Sequence, residues 1–301
     1  MSAKYIVALL VSVAPLTAGT ATFFGDGKDI ARLVDEKEIR VLRLGVDGDK
    51  PLDIPEKLRR KLCAVSRTAD GHLIVLNEFE ALILNPETKK WSSLIKAPAG
   101  THFLDVAFDP STGRLLFSTG NPDDSIEWQM LLPGEDALKS VIIARAPQPA
   151  YPVFDSNGNV FFSCLGDLWK GKFVMASAED IADGFPAFHL DATRILPLAI
   201  IETSEGNGTG VSVKEIAPLG GKLLVDLSRT NGTGWGDLIL VPNINIIRKK
   251  QALEVEKLVA ISITSNLAIS PDGRTAFACV DGRSYLIESD KGVLVPLSKA
   301  D

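Results

Sequence analysis

The chain of 301 residues is poor in the side chains from which most metal and nucleophile sites are made. It holds three histidines, His72, His102 and His189. They show no H-x-H or H-x-x-x-H spacing, which leaves no basis for a histidine-ligated zinc site. No G-x-S-x-G elbow occurs, so a Ser-His-Asp hydrolase would need His102 or His189 carried to a serine by the fold. The plainer expectation is that both pack against neighbours and that His72, directly after a turn glycine, is exposed. The three cysteines, Cys63, Cys164 and Cys279, are an odd set that argues against a disulfide-stapled scaffold. Positive charge is also short: 32 Lys and Arg against 38 Asp and Glu leave a net charge of −6. No basic field is therefore available to hold nucleic acid or an anionic membrane surface. The runs Arg59-Arg60-Lys61 and Arg248-Lys249-Lys250 are brief and read as solvated surface.

The N-terminal stretch has its own character. After Lys4 comes the apolar block Tyr5 to Leu16, then the small residues Thr17-Ala18-Gly19-Thr20-Ala21. That is the layout of a secretory signal, with cleavage after Gly19 or Ala21; a buried N-terminal strand or helix is the alternative. The block is too short for a membrane span, which needs about 20 residues. The expectation is a signal over residues 1–19, a secreted or periplasmic protein, and no membrane span once the signal is removed.

What the chain has in quantity is short alternating strands punctuated by glycine. From Asn266 to Glu288 it reads as three strands and two tight turns, at Pro271-Asp272-Gly273 and Asp281-Gly282. Pro271 presets φ and Gly273 supplies the positive φ that a tight hairpin needs. Diverged copies of this unit precede it, with turn glycines at Gly27, Gly71, Gly113, Gly158, Gly221 and Gly273. Four residues beyond five of these glycines stand Val75, Phe117, Phe162, Val225 and Phe277, a large apolar residue each time. Between Gly71 and Gly273 the glycines are spaced by 42, 45, 63 and 52 residues. Four-stranded units at about 40–50 residues have the period of a β-propeller, in which each sheet buries its faces against its neighbours. The fold expected is all-β: a six-bladed β-propeller of four-stranded antiparallel blades over residues 20–301. An all-β sandwich is the alternative, although it would not need the period.

In this reading the fourth copy ends on a late strand near Ile195 to Ile201, after an insertion from Ala176 to Asp191 that could hold a short helical turn. The fifth ends at Ile244 to Ile247. The segment Glu202 to Gly210 is a linker, because its glycines lack the strand-to-helix context and the lysine of a phosphate cradle. Cys164 and Cys279 hold the same place in non-neighbouring copies, too far apart to bridge, so three buried thiols are expected.

At Ser270-Pro-Asp-Gly-Arg-Thr-Ala-Phe277 and Asp155-Ser-Asn-Gly-Asn-Val-Phe161 the chain resembles exported six-bladed propellers with TolB-like and lactonase-like repeats. More distantly it is similar to the gluconolactonase and strictosidine-synthase-like superfamily. The run Leu42 to Leu52 resembles a TolB-like blade ending; WD-repeat and kelch signatures are absent. The gluconolactonase-like resemblance implies a divalent metal held by an Asn in Asn-Gly-Leu-Ala-x-Ser-Pro-Asp-Gly and by an Asp after the next strand. Here Ser265 takes the place of that Asn. Val280 stands where the Asp should be, and Asp281 comes one residue late. A one-residue slip in a strand turns a side chain to the other face, so neither ligand carries over.

The loops between the second and third strands place a carboxylate in every copy: Asp35-Glu36, Glu78, Asp123-Asp124, Asp167, Asp237 and Asp281. Gathered on one face, they would form an acidic mouth that attracts a cation, a basic peptide or an amine-bearing ligand. The alternative is that each caps its own turn. Asn121-Pro-Asp-Asp-Ser125 offers oxygens of the type hard cations accept, without the spacing of a calcium loop. Trp235, between glycines, suits a sugar or aromatic platform, or equally a hydrophobic plug. The expected binding residues are Asp105, Asn121, Asp124, Asp167, Glu215, Trp235 and Asp281. The expected function is a non-enzymatic module for a small cationic or sugar-like ligand or a protein partner, working as a monomer without a cofactor. The competing class is a metal-dependent hydrolase or lactonase using Ca2+ or another divalent cation at channel carboxylates such as Asp105, Asp167 and Glu215.

Overall fold

In the computed structural model of the protein, the residues described are 20–34, 36–59, 61–143, 149–164, 167–196, 211–229, 236–241, 256–261, 264–280, 283–289 and 294–297. Nearly all regular structure is β. The first sheet is β1 (Ala21–Phe24), β2 (Asp29–Val34), β3 (Glu38–Arg43) and β4 (Asp49–Pro51), in that order. After a 3-10 turn at Glu56–Leu58 comes a second, β5 (Leu62–Arg67), β6 (Leu73–Asn77), β7 (Glu80–Leu84) and β8 (Trp91–Lys96). The next two runs are β9 (His102–Asp109), β10 (Arg114–Gly120), β11 (Ile126–Leu131) and β12 (Lys139–Ile143), then β13 (Pro149–Phe154), β14 (Asn159–Cys164), β15 (Asp167–Met175) and β16 (Phe188–Leu196). Their outer strands β12 and β16 pair in parallel, so these two runs form one eight-stranded sheet. Two four-stranded sheets follow: β17 (Val211–Leu219), β18 (Lys222–Arg229), β19 (Gly236–Val241) and β20 (Glu256–Ile261), then β21 (Thr264–Ile269), β22 (Thr275–Val280), β23 (Arg283–Glu288) and β24 (Leu294–Pro296).

The second strand of each run explains why the sheets associate. In β6 every residue is buried, and in β10, β14 and β22 every residue after the first. Strands covered on both faces read as continuous apolar runs, whereas the outer β8 is largely exposed. Neighbouring residues on a second strand serve different interfaces. Val75 packs with Phe24 and Leu33 of the first run, and Ile74 with Phe103 and Phe117 of the third. Phe162 packs with Trp128, while Phe161 packs with Val213 and Val225. Leu224 meets Ala276, and Phe277 meets Phe23 and Ile30. Each apolar cluster thus joins consecutive runs, and the last joins the sixth run to the first. The innermost strands follow the same circuit: β1 lies beside β5, β5 beside β9, β9 beside β13, β13 beside β17, β17 beside β21, and β21 beside β1. This is a ring around an axis and not two stacked sheets.

Two strand placements differ from the sequence reading. The fourth run's last strand starts at Phe188, because β15 continues to Met175 and leaves only a short excursion. There α1 (Ala178–Ala182) is held by a capping box between Ser177 and Asp180. The strand pairing with β19 is β20, farther along the chain than Ile244 to Ile247, which lie outside the described residues.

The turns between first and second strands lie together at one end of the ring and bond to one another. Gly25 N–H donates to Gly71 O at 2.7 Å, and Gly220 N–H to Gly273 O at 3.0 Å. Aspartates cap the turns: Asp155 Oδ1 accepts from the N–H groups of Asn157 and Asn159, and Asp272 Oδ1 from that of Arg274. Gly71 has φ of 78° and a Cβ there would lie 2.5 Å from Gly25 O. Gly71→Ala therefore combines left-handed strain with a backbone clash, and we expect a loss of about 1–3 kcal/mol in denaturant unfolding. A change below about 0.5 kcal/mol, the range of an ordinary surface substitution, would show that this turn-to-turn contact is not structural.

Candidate functional site

Five of the six innermost strands carry a register shift at the same level. In β5 it falls between Leu62 and Ala64, in β13 between Ala150 and Val153, in β17 between Val213 and Glu215, and in β21 between Ser265 and Leu267. In β9 it falls between Phe103 and Asp105, opposite Thr119 and Ser118. A bulge bends its strand and re-aims side chains. Tyr151 and Asn266 sit in the bulges with φ of 56° and 67°. Asp105 and Glu215 occupy the same step of their strands, paired with Ser118 and Asp226, as Ala64 and Leu267 are paired with Leu76 and Ala278.

Glu215 is buried, and both of its oxygens are engaged across the ring. Oε1 accepts from the Thr20 hydroxyl in the first run, and Oε2 from Leu267 N–H at 2.5 Å in the sixth. Asn266 Nδ2 donates to Thr20 O and Leu33 O, each at 3.1 Å, and Leu33 N–H donates to Thr20 O at 2.7 Å. Together these residues clasp β1, β17 and β21. Burial pushes the Glu215 carboxyl up to about 8, opposed by its bonds to Thr20 and Leu267 and reinforced by the charges of Asp226 and Asp105.

Asp105 is only 4% exposed. Its Oδ1 accepts from Val106 N–H at 2.7 Å, whereas Oδ2 and the Oγ of Ser118 opposite have no partner. Burial pushes this carboxyl up to about 7 against the Val106 bond. Its charge is felt on both sides. The Tyr151 phenol is raised to about 12 by burial, then by Glu215, Asp105 and Asp226. The Cys63 thiol is raised to about 12 by burial, then by Glu78, Glu36 and Asp105, with Lys61 opposing. Glu36 and Glu78 come close because their carbonyls accept from Leu62 and Phe103 at the starts of the next innermost strands. Glu36, Glu78 and Asp105 thus all act on Cys63, and Glu78 is paired to Lys61 at 2.7 Å.

The other expected residues are committed elsewhere. Asn121 Nδ2 donates to Ser125 Oγ at 2.9 Å, Asp123 accepts from Ser125, and Asp124 is exposed at φ of 62° in the same loop. Asp167 starts β15 and pairs with Arg194 at 3.1 Å. Trp235, Asp35 and Asp281 lie outside the described residues. His72 is half-buried beside Asp70, and His102 lies over Gly120, where a Cβ would be 2.6 Å from its ring. His189, expected to pack, is exposed on β16. Cys164 and Cys279 are buried and in no disulfide; Cys63, expected to be buried, is only partly so, since it is the extra residue of the β5 bulge at the edge of an apolar cluster, and its thiol donates to Lys61 O. Among the described residues no three His, Cys, Asp or Glu side chains converge in a way that could hold a metal ion.

A cavity of about 380 Å³ runs along the axis, walled by all six innermost strands, with Glu215 and Tyr151 in its inner wall. It extends to Pro110, Asn157, Gly220 and Pro271 to Arg274, which belong to the first-to-second-strand turns. That face is opposite the carboxylate loops. Arg67, Lys222 and Arg274 line it there. Sequence pattern alone does not single out any of the three, since its one available signal is a basic residue flanking a turn.

No family model matches the chain, and no curated protein matches it. Solved structures do. A gluconolactonase from Xanthomonas campestris superposes with a TM-score of 0.57 at 12% identity, over 90% of this chain and 86% of that one. TolB from Acinetobacter baumannii gives 0.57 at 12% identity, over 85% and 58%. An oligogalacturonate lyase in complex with manganese gives 0.53 at 12%, over 93% and 76%. These likenesses are of fold: the chain is a β-propeller similar to the lactonase-like and TolB-like propellers.

Asp105 and Glu215 also set a pH dependence. Their folded values, about 7 and 8, stand above the ordinary values of 3.8 and 4.5. The unfolded chain gives up these protons first, so the stability they contribute is full below about pH 4 and lost as pH rises through 7 to 8. Asp105→Asn should flatten the decline measured between pH 5 and 8.5 and raise stability at the alkaline end. Each tenfold difference in proton affinity between folded and unfolded chain is worth about 1.4 kcal/mol. An unchanged slope in the variant would mean that Asp105 titrates normally.

Proposed function

We propose that residues 20–301 form one six-bladed propeller of four-stranded blades, exported from the cell, and that it acts as a non-enzymatic binding module with its central channel as the ligand site. In this reading β9–β12 and β13–β16 are two blades whose outer strands happen to pair. The cyclic order of the apolar clusters supports six blades. The observation that carries the binding reading is the axial cavity of about 380 Å³, a volume suited to a small molecule. A cationic or hydroxyl-rich ligand or a basic protein segment would be drawn in on the opposite face, where Asp105, Glu36 and Glu78 lie near Cys63 beyond the cavity's lining. Asn121, Asp124, Asp167, Trp235 and Asp281 would supply the surrounding contacts. Glu215 suits this role better than catalysis, because both of its oxygens are occupied by the clasp.

One observation favours a second reading. Asp105 and Glu215 hold equivalent strand positions, and both have raised pKa values, as a metal-assisted lactonase or esterase would use. The two readings separate in one experiment, in which aldonolactones are incubated with the protein in Ca2+, in Mn2+ and after chelation. The binding module shows no turnover in any arm, and a polyamine such as spermidine raises its thermal midpoint. Cation-stimulated turnover lost in Glu215→Gln would establish the hydrolase instead.

Export makes its own demand. Thr20 supplies a hydroxyl and a carbonyl to the clasp, so cleavage after Gly19 preserves it and cleavage after Ala21 removes it. Mass spectrometry of the exported protein should find Thr20 at the mature N-terminus. A chain beginning at Thr22 would leave the clasp without its first-run partner and would contradict a structural role for Thr20.

A further inference from the structure

We propose that the turn-face end of the channel is an oxyanion site, in which the Arg67 guanidinium grips a carboxylate or phosphate group on a small ligand, with Lys222 and Arg274 at the rim. The proposal rests on the channel being a ligand site and adds the chemistry of its second mouth.

Arg67 ends β5, and the ring of Phe108 on the neighbouring β9 lies 5.4 Å from its guanidinium carbon. That stacking fixes the plane of the fork inside the cavity wall. The group is half-buried, and burial alone moves its pKa, downward, with no carboxylate contributing. Among the described residues no acid forms an ion pair with it. A guanidinium has five donors in a rigid planar fork and cannot shed its charge, so a sheltered one facing a cavity needs an acceptor. Carboxylate and phosphate oxygens match that fork two at a time.

The acids that share the cavity do not fill this role. Asp155 accepts from the N–H groups of Asn157 and Asn159 and from Asn159 Nδ2. Asp272 accepts from Ser270 Oγ and Arg274 N–H. Glu215 lies deeper, bound to Thr20 and Leu267 and held toward its neutral form by burial. Lys222 and Arg274 add two more positive charges beside turns whose carboxylates are already capped. Three cations thus line this end beside two aspartates held in their own turns, within a protein whose net charge is −6.

The test is calorimetric titration of the full folded chain with inorganic phosphate and, separately, with citrate, alongside spermidine as a cationic control. Saturable one-to-one binding of at least one anion is expected, and the anion that binds tells phosphate from carboxylate recognition. Arg67→Ala should weaken it by about 10–100-fold, the range for losing hydrogen bonds to a charged group. Arg67→Lys should restore part of it, while Arg59→Ala on the surface should leave it unchanged. If Arg67→Ala does not fold, Arg67→Gln, which keeps the polar bulk without the charge, gives the same reading. No saturable anion binding, or binding indifferent to Arg67, overturns the site. Spermidine binding that persists in Arg67→Ala would leave the binding module standing without its anion site, whereas the loss of all ligands would remove both.

Discussion

The structure depends on strands that are buried on both faces. β6, β10, β14 and β22 have no solvent side after their first residue, so none of these runs can stand alone. Each needs a neighbour to the left and another to the right, and a finite row of such sheets always leaves two uncovered ends. Closing the row removes them. Here the closure falls between the first and sixth runs, where Phe23, Ile30 and Phe277 supply the apolar contact. The polar part of the seam is Asn266, Thr20 and Glu215, which bind backbone and side chains of three different runs. The innermost strands then leave a central cavity of about 380 Å³ between them.

The clasp sets Glu215 apart from Asp105, a carboxyl buried at the equivalent strand position. A charged carboxylate without compensation is costly in such a place, and neutral forms prevail instead. Glu215 can live with either form. One oxygen takes a backbone N–H, and the other meets a hydroxyl that can donate or accept according to the proton's position. Asp105 has no such arrangement, since its Oδ2 and the facing Ser118 Oγ lack protein partners. The two carboxyls share a strand position and a raised pKa, yet one is spent on architecture and the other is uncommitted. Burial and pKa alone would have equated them; hydrogen bonding separates them.

Much of the architecture was legible because it is written locally and repeated. The turn glycines, the capping aspartates and the apolar residue four places beyond each turn all lie within one hairpin, and Val75, Phe117, Phe162, Val225 and Phe277 are each buried. The outer strands were less legible, since β16 follows an excursion that includes α1, and 14 residues, 242–255, separate β20 from β19. The bulges left no trace because one extra residue inside an apolar stretch changes no composition. The clasp was beyond reach for another reason: Thr20 and Glu215 are 195 residues apart, and only ring closure brings them together. Asp105 and Glu215 were legible as acids within strands otherwise apolar, but their different fates were not.

Charge is also distributed between the two faces of the ring in a way that composition hides. At the end where the innermost strands start, Asp105, Glu36 and Glu78 are close enough to raise the Cys63 thiol. Along the cavity's turn face lie Arg67, Lys222 and Arg274, beside Asp155 and Asp272, whose oxygens bond within their own turns. If the channel is the ligand site, the potential of these groups acts along its axis. A neutral molecule would feel little of it. One carrying charge at a single end would be drawn to the mouth of opposite sign, and one with charges of both signs would be oriented as it entered. The net charge of −6 is a sum over the whole chain, and what a ligand in the channel meets depends on which groups face it and on which of their hydrogen bonds the turns already use.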